Sequence, residues 1–134
     1  MKKNFLFIHY SWVANATYIF KSFEKCGYTC DFVTEKQIQS WQPTCDYETI
    51  IVYLHDYAGH VNRILDLFPH SFFVQHDDTD FPNVMQYYKR QPDLIMHREL
   101  SSYSFNPYIT PTYGMHFPVA SAYNQNYQEK KYDV

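Results

Sequence analysis

Glycine is scarce in this chain, which has 134 residues and only three glycines, at positions 27, 59 and 114. Glycine-rich loops let a backbone approach a pyrophosphate, as in the GxGxxG and GxxxxGK[ST] motifs, and neither motif occurs. The loop after the first predicted strand, residues 10–15, contains no glycine. These absences argue against a dinucleotide or nucleoside-triphosphate site, so we expect no cofactor. The GxSxG elbow of many hydrolases is also missing.

Basic runs, long apolar runs and paired cysteines are missing as well. The net charge of -3 gives no support for nucleic-acid binding. Apolar runs fall far short of the roughly 20 residues needed for a membrane span. Met1-Lys2-Lys3 precedes an apolar run too short for a signal peptide, so residues 4–9 are interpreted as a first strand. The three cysteines form no CxxC pair and predict free, buried thiols in a cytoplasmic protein.

Aromatic residues, in contrast, make up 20% of the chain, with 14 Tyr and 11 Phe. Tyrosine joins an apolar ring to a polar end, so this surplus indicates rings at surfaces, clefts or a partner interface. Apolar residues make up 46%, which is sufficient for one hydrophobic core, and the length suits one domain.

Short apolar runs alternate with segments of helical spacing. This alternation predicts βαβ units with right-handed crossovers, and hence an α/β fold with a doubly wound, Rossmann-like, mostly parallel sheet in three α/β/α layers. We expect the strand order 3-2-1-4-5, with helices on both faces. The predicted strands are 4–9, 29–34, 49–54, 71–75, 93–96 and a short sixth at 112–117, and the predicted helices are 16–25, 60–68 and 83–89.

A histidine ends or directly follows four of the predicted strands: His9, His55, His76 and His97. Parallel strands end at one edge of the sheet, where ligands bind in such folds, so these side chains should line one concave rim. A histidine beside carboxylates is suited to act as a base. We predict His76 or His9 as the catalytic base, oriented by Asp77 or Asp78. The alternative is that each histidine only caps its strand and bonds to loop backbone.

The acidic cluster Asp77-Asp78-Thr79-Asp80 has three open interpretations. Its carboxylates could bind a divalent cation or act in acid–base chemistry. They could also form a turn and cap a helix entry ahead of Phe81-Pro82. We expect no structural metal, because no set of four His, Cys, Asp or Glu residues has recognisable zinc spacing.

Several phrases resemble the N-terminal domain of GT-B glycosyltransferases. Residues 27–34, Gly-Tyr-Thr-Cys-Asp-Phe-Val-Thr, match most of the pattern G-[HY]-x-V-x-[FV]-[VL]-T that follows the first helix in that family, with Cys30 at the usual Val. Residues 5–9, 73–78, 92–97 and 112–118 look like its other strands and loops. The resemblance implies an acceptor-side domain over 1–122. Residues 123–134, ending in Lys-Lys-Tyr-Asp-Val, would be a polar linker toward a missing donor-binding domain.

The resemblance implies transfer of a sugar from a nucleotide-sugar donor to an acceptor. The donor would bind only together with the second domain, so the isolated chain is expected to be inactive. Two alternatives stay open: a stand-alone flavodoxin-like binding or regulatory domain, and a small hydrolase or metal-dependent enzyme using Asp77, Asp78 and Asp80. The acceptor-binding residues would be Ser11, Asn15, His55, Asp78 and His97.

Overall fold

Six parallel strands form a single sheet in the computed structural model, which describes residues 4–98 and 105–114. This confirms the predicted α/β fold with a parallel sheet. The predicted linker at 123–134 and the end of the predicted sixth strand lie outside the described residues. The strands are β1 (Asn4–His9), β2 (Thr29–Val33), β3 (Thr49–Tyr53), β4 (Phe72–Asp77), β5 (Leu94–His97) and β6 (Thr112–Gly114), and the helices are α1 (Ala14–Lys25) and α2 (Ala58–Leu67), with a 3-10 turn at His55–Tyr57.

The strand order is β2-β1-β3-β4-β5-β6, so the expected order 3-2-1-4-5 is wrong. β3 pairs with β1 on the side opposite β2. The reason lies in composition: β3 reads Thr-Ile-Ile-Val-Tyr and is almost wholly buried, whereas β2 has an exposed Thr29 and a half-buried Asp31. An apolar strand gains most at the centre of a parallel sheet, and a polar strand is tolerated at its edge.

The two helices cover opposite faces of the sheet. The chain moves from β1 to β2 in one direction and from β3 to β4 in the other, so right-handed crossovers place α1 and α2 on different sides. The β1–β3 boundary, where the direction reverses, is the switch point at which such folds bind ligands. Ile19, Phe20 and Phe23 of α1 pack on Phe7, Ile51 and Val74, whereas Val61, Ile64 and Leu65 of α2 join Leu6, Ile8 and Phe73.

The predicted helix over 83–89 is absent, and this segment has irregular backbone. Its backbone groups are satisfied by tertiary hydrogen bonds in place of helical ones. Gln75 Nε2 donates to the Met85 carbonyl at 3.1 Å, the Tyr88 amide donates to the Tyr108 hydroxyl at 3.2 Å, and the Lys89 amide donates to Asn62 Oδ1 at 2.9 Å. Long-range partners therefore override the local preference.

The three cysteines lie within the described residues and have free thiols, but the prediction that they are buried is wrong. Cys26 and Cys45 are exposed, and Cys30 is half-buried. In the part of the chain that the structure describes, no helix has the length and apolar character needed to cross a bilayer.

Gly27 terminates α1 through its left-handed backbone conformation. Its φ is 82°, in the left-handed region. The Tyr28 amide donates to the Phe23 carbonyl at 3.1 Å and the Gly27 amide donates to the Glu24 carbonyl at 2.8 Å, which together form a Schellman motif. The Phe23 and Tyr28 rings, 5.7 Å apart, supply the hydrophobic contact that accompanies it.

Gly27→Ala is expected to lower the free energy of unfolding by about 1 kcal/mol, because alanine is strained at positive φ. Gly59→Ala is the matched control. Gly59 lies in α2, and outside its chain neighbours and its own helix backbone no atom lies within 4 Å of the position that an alanine Cβ would take, so alanine there should stabilise by about 0.5–1 kcal/mol. Urea denaturation measures the change in the free energy of unfolding for both variants, and the two changes should have opposite signs. A Gly27→Ala protein as stable as the wild type would contradict the prediction.

Candidate functional site

The predicted histidines meet at one edge of the sheet, because the strands that carry them run in the same direction. His9 ends β1, His76 lies near the end of β4, and His97 ends β5. His55 begins the 3-10 turn that follows β3. We call this side of the molecule, where the strands end, the C-terminal edge.

His9, Tyr53 and His76 form a buried aromatic trio on the face of the sheet that α1 covers. His9 is the register partner of Tyr53, and their ring centroids are 4.9 Å apart. His76 is on β4, and β3 with Tyr53 lies between β4 and β1 in the sheet. The Nδ1 atom of His76 nevertheless lies 3.0 Å from His9 Nε2. That distance is a hydrogen bond, so one ring donates an N–H to a neutral nitrogen of the other. Both imidazoles are essentially inaccessible to solvent.

Burial makes both histidines poor proton acceptors. It lowers the pKa of His76 to about 4. It also lowers the pKa of His9 strongly, and the neighbouring His76 lowers it further. Both rings are therefore neutral at neutral pH, far from the pKa near the working pH that suits a general base. Their role as catalytic base stays a prediction from the sequence, to which this geometry adds no support.

Asp77 faces the opposite side of the sheet from His76, because successive residues of a strand point to opposite faces. Its Oδ2 atom is 3.5 Å from Nε2 of His97, its register partner, and both side chains are fully buried. Its Oδ1 atom accepts hydrogen bonds from the Thr79 amide at 3.2 Å and the Thr79 hydroxyl at 2.7 Å. That Asp77 orients His76 stays a prediction from the sequence, and these contacts give it no support.

His55 and Asp56 connect the loops that follow β1 and β3. The Tyr10 hydroxyl donates a hydrogen bond to Asp56 Oδ2 at 2.7 Å and accepts one from the Asp56 amide at 3.1 Å. His55 Nε2 is 3.5 Å from Asp56 Oδ1. The His55 ring packs against the Tyr87 ring, with 4.8 Å between the ring centroids. These contacts hold the two loops together across the switch point.

Ser11 has both of its hydrogen-bond donors engaged by a carboxylate of the same chain. Its amide donates to Glu35 Oε2 at 2.7 Å, and its hydroxyl donates to Glu35 Oε1. Burial alone would raise the pKa of Glu35, but the hydrogen bonds from Ser11 outweigh it and lower the pKa. The two donors of Ser11 are thus already used within the chain. Asn15 lies in the first turn of α1, and its side chain lies outside the described part of the structure.

An open cavity of about 590 Å³ lies at the C-terminal edge, and we call it the edge cavity. Of the predicted site residues, Asp78 alone is among its described lining, whereas His9, His76, Asp77 and His97 lie outside it. Trp12 and Phe81 are largely exposed there, at 71% and 60%. The described lining consists of Trp12, Val13, Tyr53, Asp78, Thr79, Asp80, Phe81 and Arg98.

Trp12, Tyr53, Phe81 and Arg98 were not predicted as site residues from the sequence. The surplus of aromatic residues was a signal for the first three, and the position of Trp12 and Tyr53 at or just after the end of a strand was a second signal for those two. Arg98 follows His97 directly and had no signal beyond that position.

Arg98 forms ion pairs with two members of the acidic cluster, Asp78 and Asp80. Its Nη1 atom is 2.8 Å from Asp80 Oδ1, and its Nε atom is 3.9 Å from Asp78 Oδ1. Asp77 is directed away, toward His97. Over residues 4–98 and 105–114, no group of three or more His, Cys, Asp or Glu side chains is placed to hold a metal ion. The metal-dependent alternative gains no support from this arrangement.

The C-terminal edge thus combines an open, aromatic and carboxylate-lined cavity with a buried layer of histidines behind it. The cavity offers flat apolar faces and hydrogen-bond acceptors to a small molecule, a combination common in binding sites at switch points. Comparison with protein-family models, with curated proteins and with solved structures found no match for this chain.

Proposed function

We propose that this chain is the acceptor-binding domain of a sugar-transferring enzyme and that the edge cavity holds the acceptor sugar. The observation that carries the proposal is the lining of that cavity: two exposed aromatic rings, Trp12 and Phe81, beside two carboxylates and one guanidinium. The cavity lies where ligands bind in parallel sheets of this kind.

The lining suits the two kinds of surface that a sugar offers. A pyranose ring has apolar C–H faces, which pack on flat aromatic side chains such as Trp12. Its hydroxyl groups are donors and acceptors, which pair with the carboxylates of Asp78 and Asp80 and with the Arg98 guanidinium. Hydrogen bonds to charged groups are about twice as strong as neutral ones, so a few of them orient a small polar ligand.

The acceptor side is favoured over the donor side by the loop after β1. A nucleotide sugar brings a pyrophosphate, which helix N-termini and glycine-rich loops commonly bind through backbone N–H groups. Here the loop has no glycine, and the Ser11 amide already donates to Glu35 at 2.7 Å. The resemblance of residues 27–34 to the GT-B pattern points the same way, because that family binds its donor mainly in its other domain.

Trp12→Ala is expected to weaken saccharide binding about tenfold, because it removes a stacking face from the cavity. The measurement is a titration of the labelled chain with a panel of neutral mono- and disaccharides, followed by NMR chemical shifts. Phe105→Ala is the control, since Phe105 is equally exposed but does not line the cavity. A wild-type chain that binds no saccharide of the panel would remove this function.

A second function, a flavodoxin-like binding domain, is favoured by the strand order. The order 2-1-3-4-5, with β3 beside β1, is that of flavodoxin-like folds. Such a domain would bind a different ligand at the same edge. Titration with flavin mononucleotide separates the two functions: quenching of flavin fluorescence at stoichiometric protein favours the second, and unchanged fluorescence favours the first.

A further inference from the structure

We infer that the edge cavity selects uncharged or amino-bearing sugars and rejects phosphorylated or carboxylated ones. This inference rests on the proposed function, to which it adds the class of sugar. It follows from the net charge of the described cavity lining and from the ion pairs of Arg98, which is the one cation in that lining.

Three charged side chains belong to the described lining, and they sum to a charge of -1. Asp78 and Asp80 contribute two negative charges, and Arg98 contributes one positive charge. The Arg98 guanidinium is engaged by both carboxylates, at 2.8 Å from Asp80 and 3.9 Å from Asp78. An anionic ligand that approached Arg98 would therefore also approach two carboxylates, and would lose in repulsion what it gained in attraction.

A third carboxylate, that of Glu35, is hydrogen-bonded to the loop that borders the cavity. Ser11 precedes Trp12, and both of its donors are held by Glu35. The backbone and hydroxyl donors that would otherwise attract a phosphate at this place are thus used within the chain. The Ser11 donors therefore offer no binding point to a phosphate or carboxylate group that enters the cavity.

Neutral and cationic sugars meet no such opposition. A hydroxyl donates to a carboxylate without bringing charge of its own, and an ammonium group gains from the net negative lining. A charge difference of one unit, at contact distance in a solvent-exposed site, changes affinity by about fivefold. The expected order of affinity is glucosamine first, methyl glucoside next, and glucuronate and glucose 6-phosphate last, with the anions weaker than the glucoside by about fivefold or more.

The test is an NMR titration of the full chain at neutral pH and low salt with those four sugars. The variant Asp80→Asn removes one negative charge from a well-exposed position and should bring glucuronate to within about twofold of methyl glucoside. Asp66→Asn, an exposed carboxylate on α2 away from the cavity, is the matched control and should keep the full discrimination. Salt at about 0.5 M should shrink the discrimination by screening.

Glucuronate binding as tightly as methyl glucoside at low salt would overturn the selectivity and leave the proposed function standing. Equal discrimination in the wild type and in Asp80→Asn would also overturn it, because the charge of the lining would not be the cause. A chain that binds none of the four sugars would overturn the proposed function together with the inference.

Discussion

Acidification from about pH 7 to about pH 5 is expected to lower the free energy of unfolding by roughly 3 kcal/mol through His9 and His76. In the unfolded chain each imidazole binds a proton near its ordinary pKa of 6.5. In the folded chain burial keeps both neutral, His76 until about pH 4. Between these values the unfolded state binds more protons, so stability is full above pH 6.5 and falls as the pH drops.

Urea denaturation at several pH values measures this loss. His76→Gln removes one of the two groups, so it should roughly halve the difference in unfolding free energy between the two pH values, whatever it does to stability at neutral pH. His70→Gln is the control, because His70 is exposed and lies just before the first residue of β4, at the opposite end of that strand from His76. Equal stability of the wild-type chain at both pH values would contradict the prediction, as would a flattened profile in His70→Gln.

The sequence was sufficient to predict β1 and the direction of the strands. β1 follows from one continuous apolar run, residues 5–8, which is typical of a strand buried on both faces. Parallel direction was predicted from helices between strands, of which α1 and α2 are present, and it brings His9, His76 and His97 to one edge. These features depend on local pattern and on general rules of chain connection.

Strand order could not be obtained in the same way, because it depends on which strands become neighbours and not on local pattern. The polar character of β2, with Asp31 in its centre, was the available signal for an edge position beside β1. The cavity depends on that order: Trp12, Phe81 and Arg98 come from three separate loops. Their proximity is decided by which strands are neighbours, and the spacing of residues along the chain carries no information about it.

The predicted pairing of His76 with Asp77 depends on where β4 ends. Adjacent residues of a strand face opposite ways, so His76 and Asp77 point to different faces of the sheet when β4 extends through residue 77. The predicted strand stopped at residue 75, which left both side chains in a loop where they could converge. An error of two residues in a strand boundary thus changed the chemistry inferred from it.

Asp77→Ala is expected to lower the free energy of unfolding by about 1–3 kcal/mol, because it removes the buried acceptor of two hydrogen bonds from Thr79. The Asp77 and His97 side chains are both fully buried, with 3.5 Å between Oδ2 and Nε2. Asp77→Asn keeps an acceptor for Thr79 and should lose less. Thermal and urea denaturation provide the measurement.

Asp80→Ala is the matched control for this prediction, three residues along the chain. Asp80 also pairs with a basic side chain, Arg98 at 2.8 Å, but it is exposed, and surface ion pairs contribute about 0–1 kcal/mol. Asp77→Asn should also bind neutral saccharides with wild-type affinity, because Asp77 does not line the edge cavity. An Asp77→Ala protein as stable as the wild type would show that the buried pair is not structural, and loss of saccharide binding in a folded Asp77→Asn protein would return Asp77 to the site.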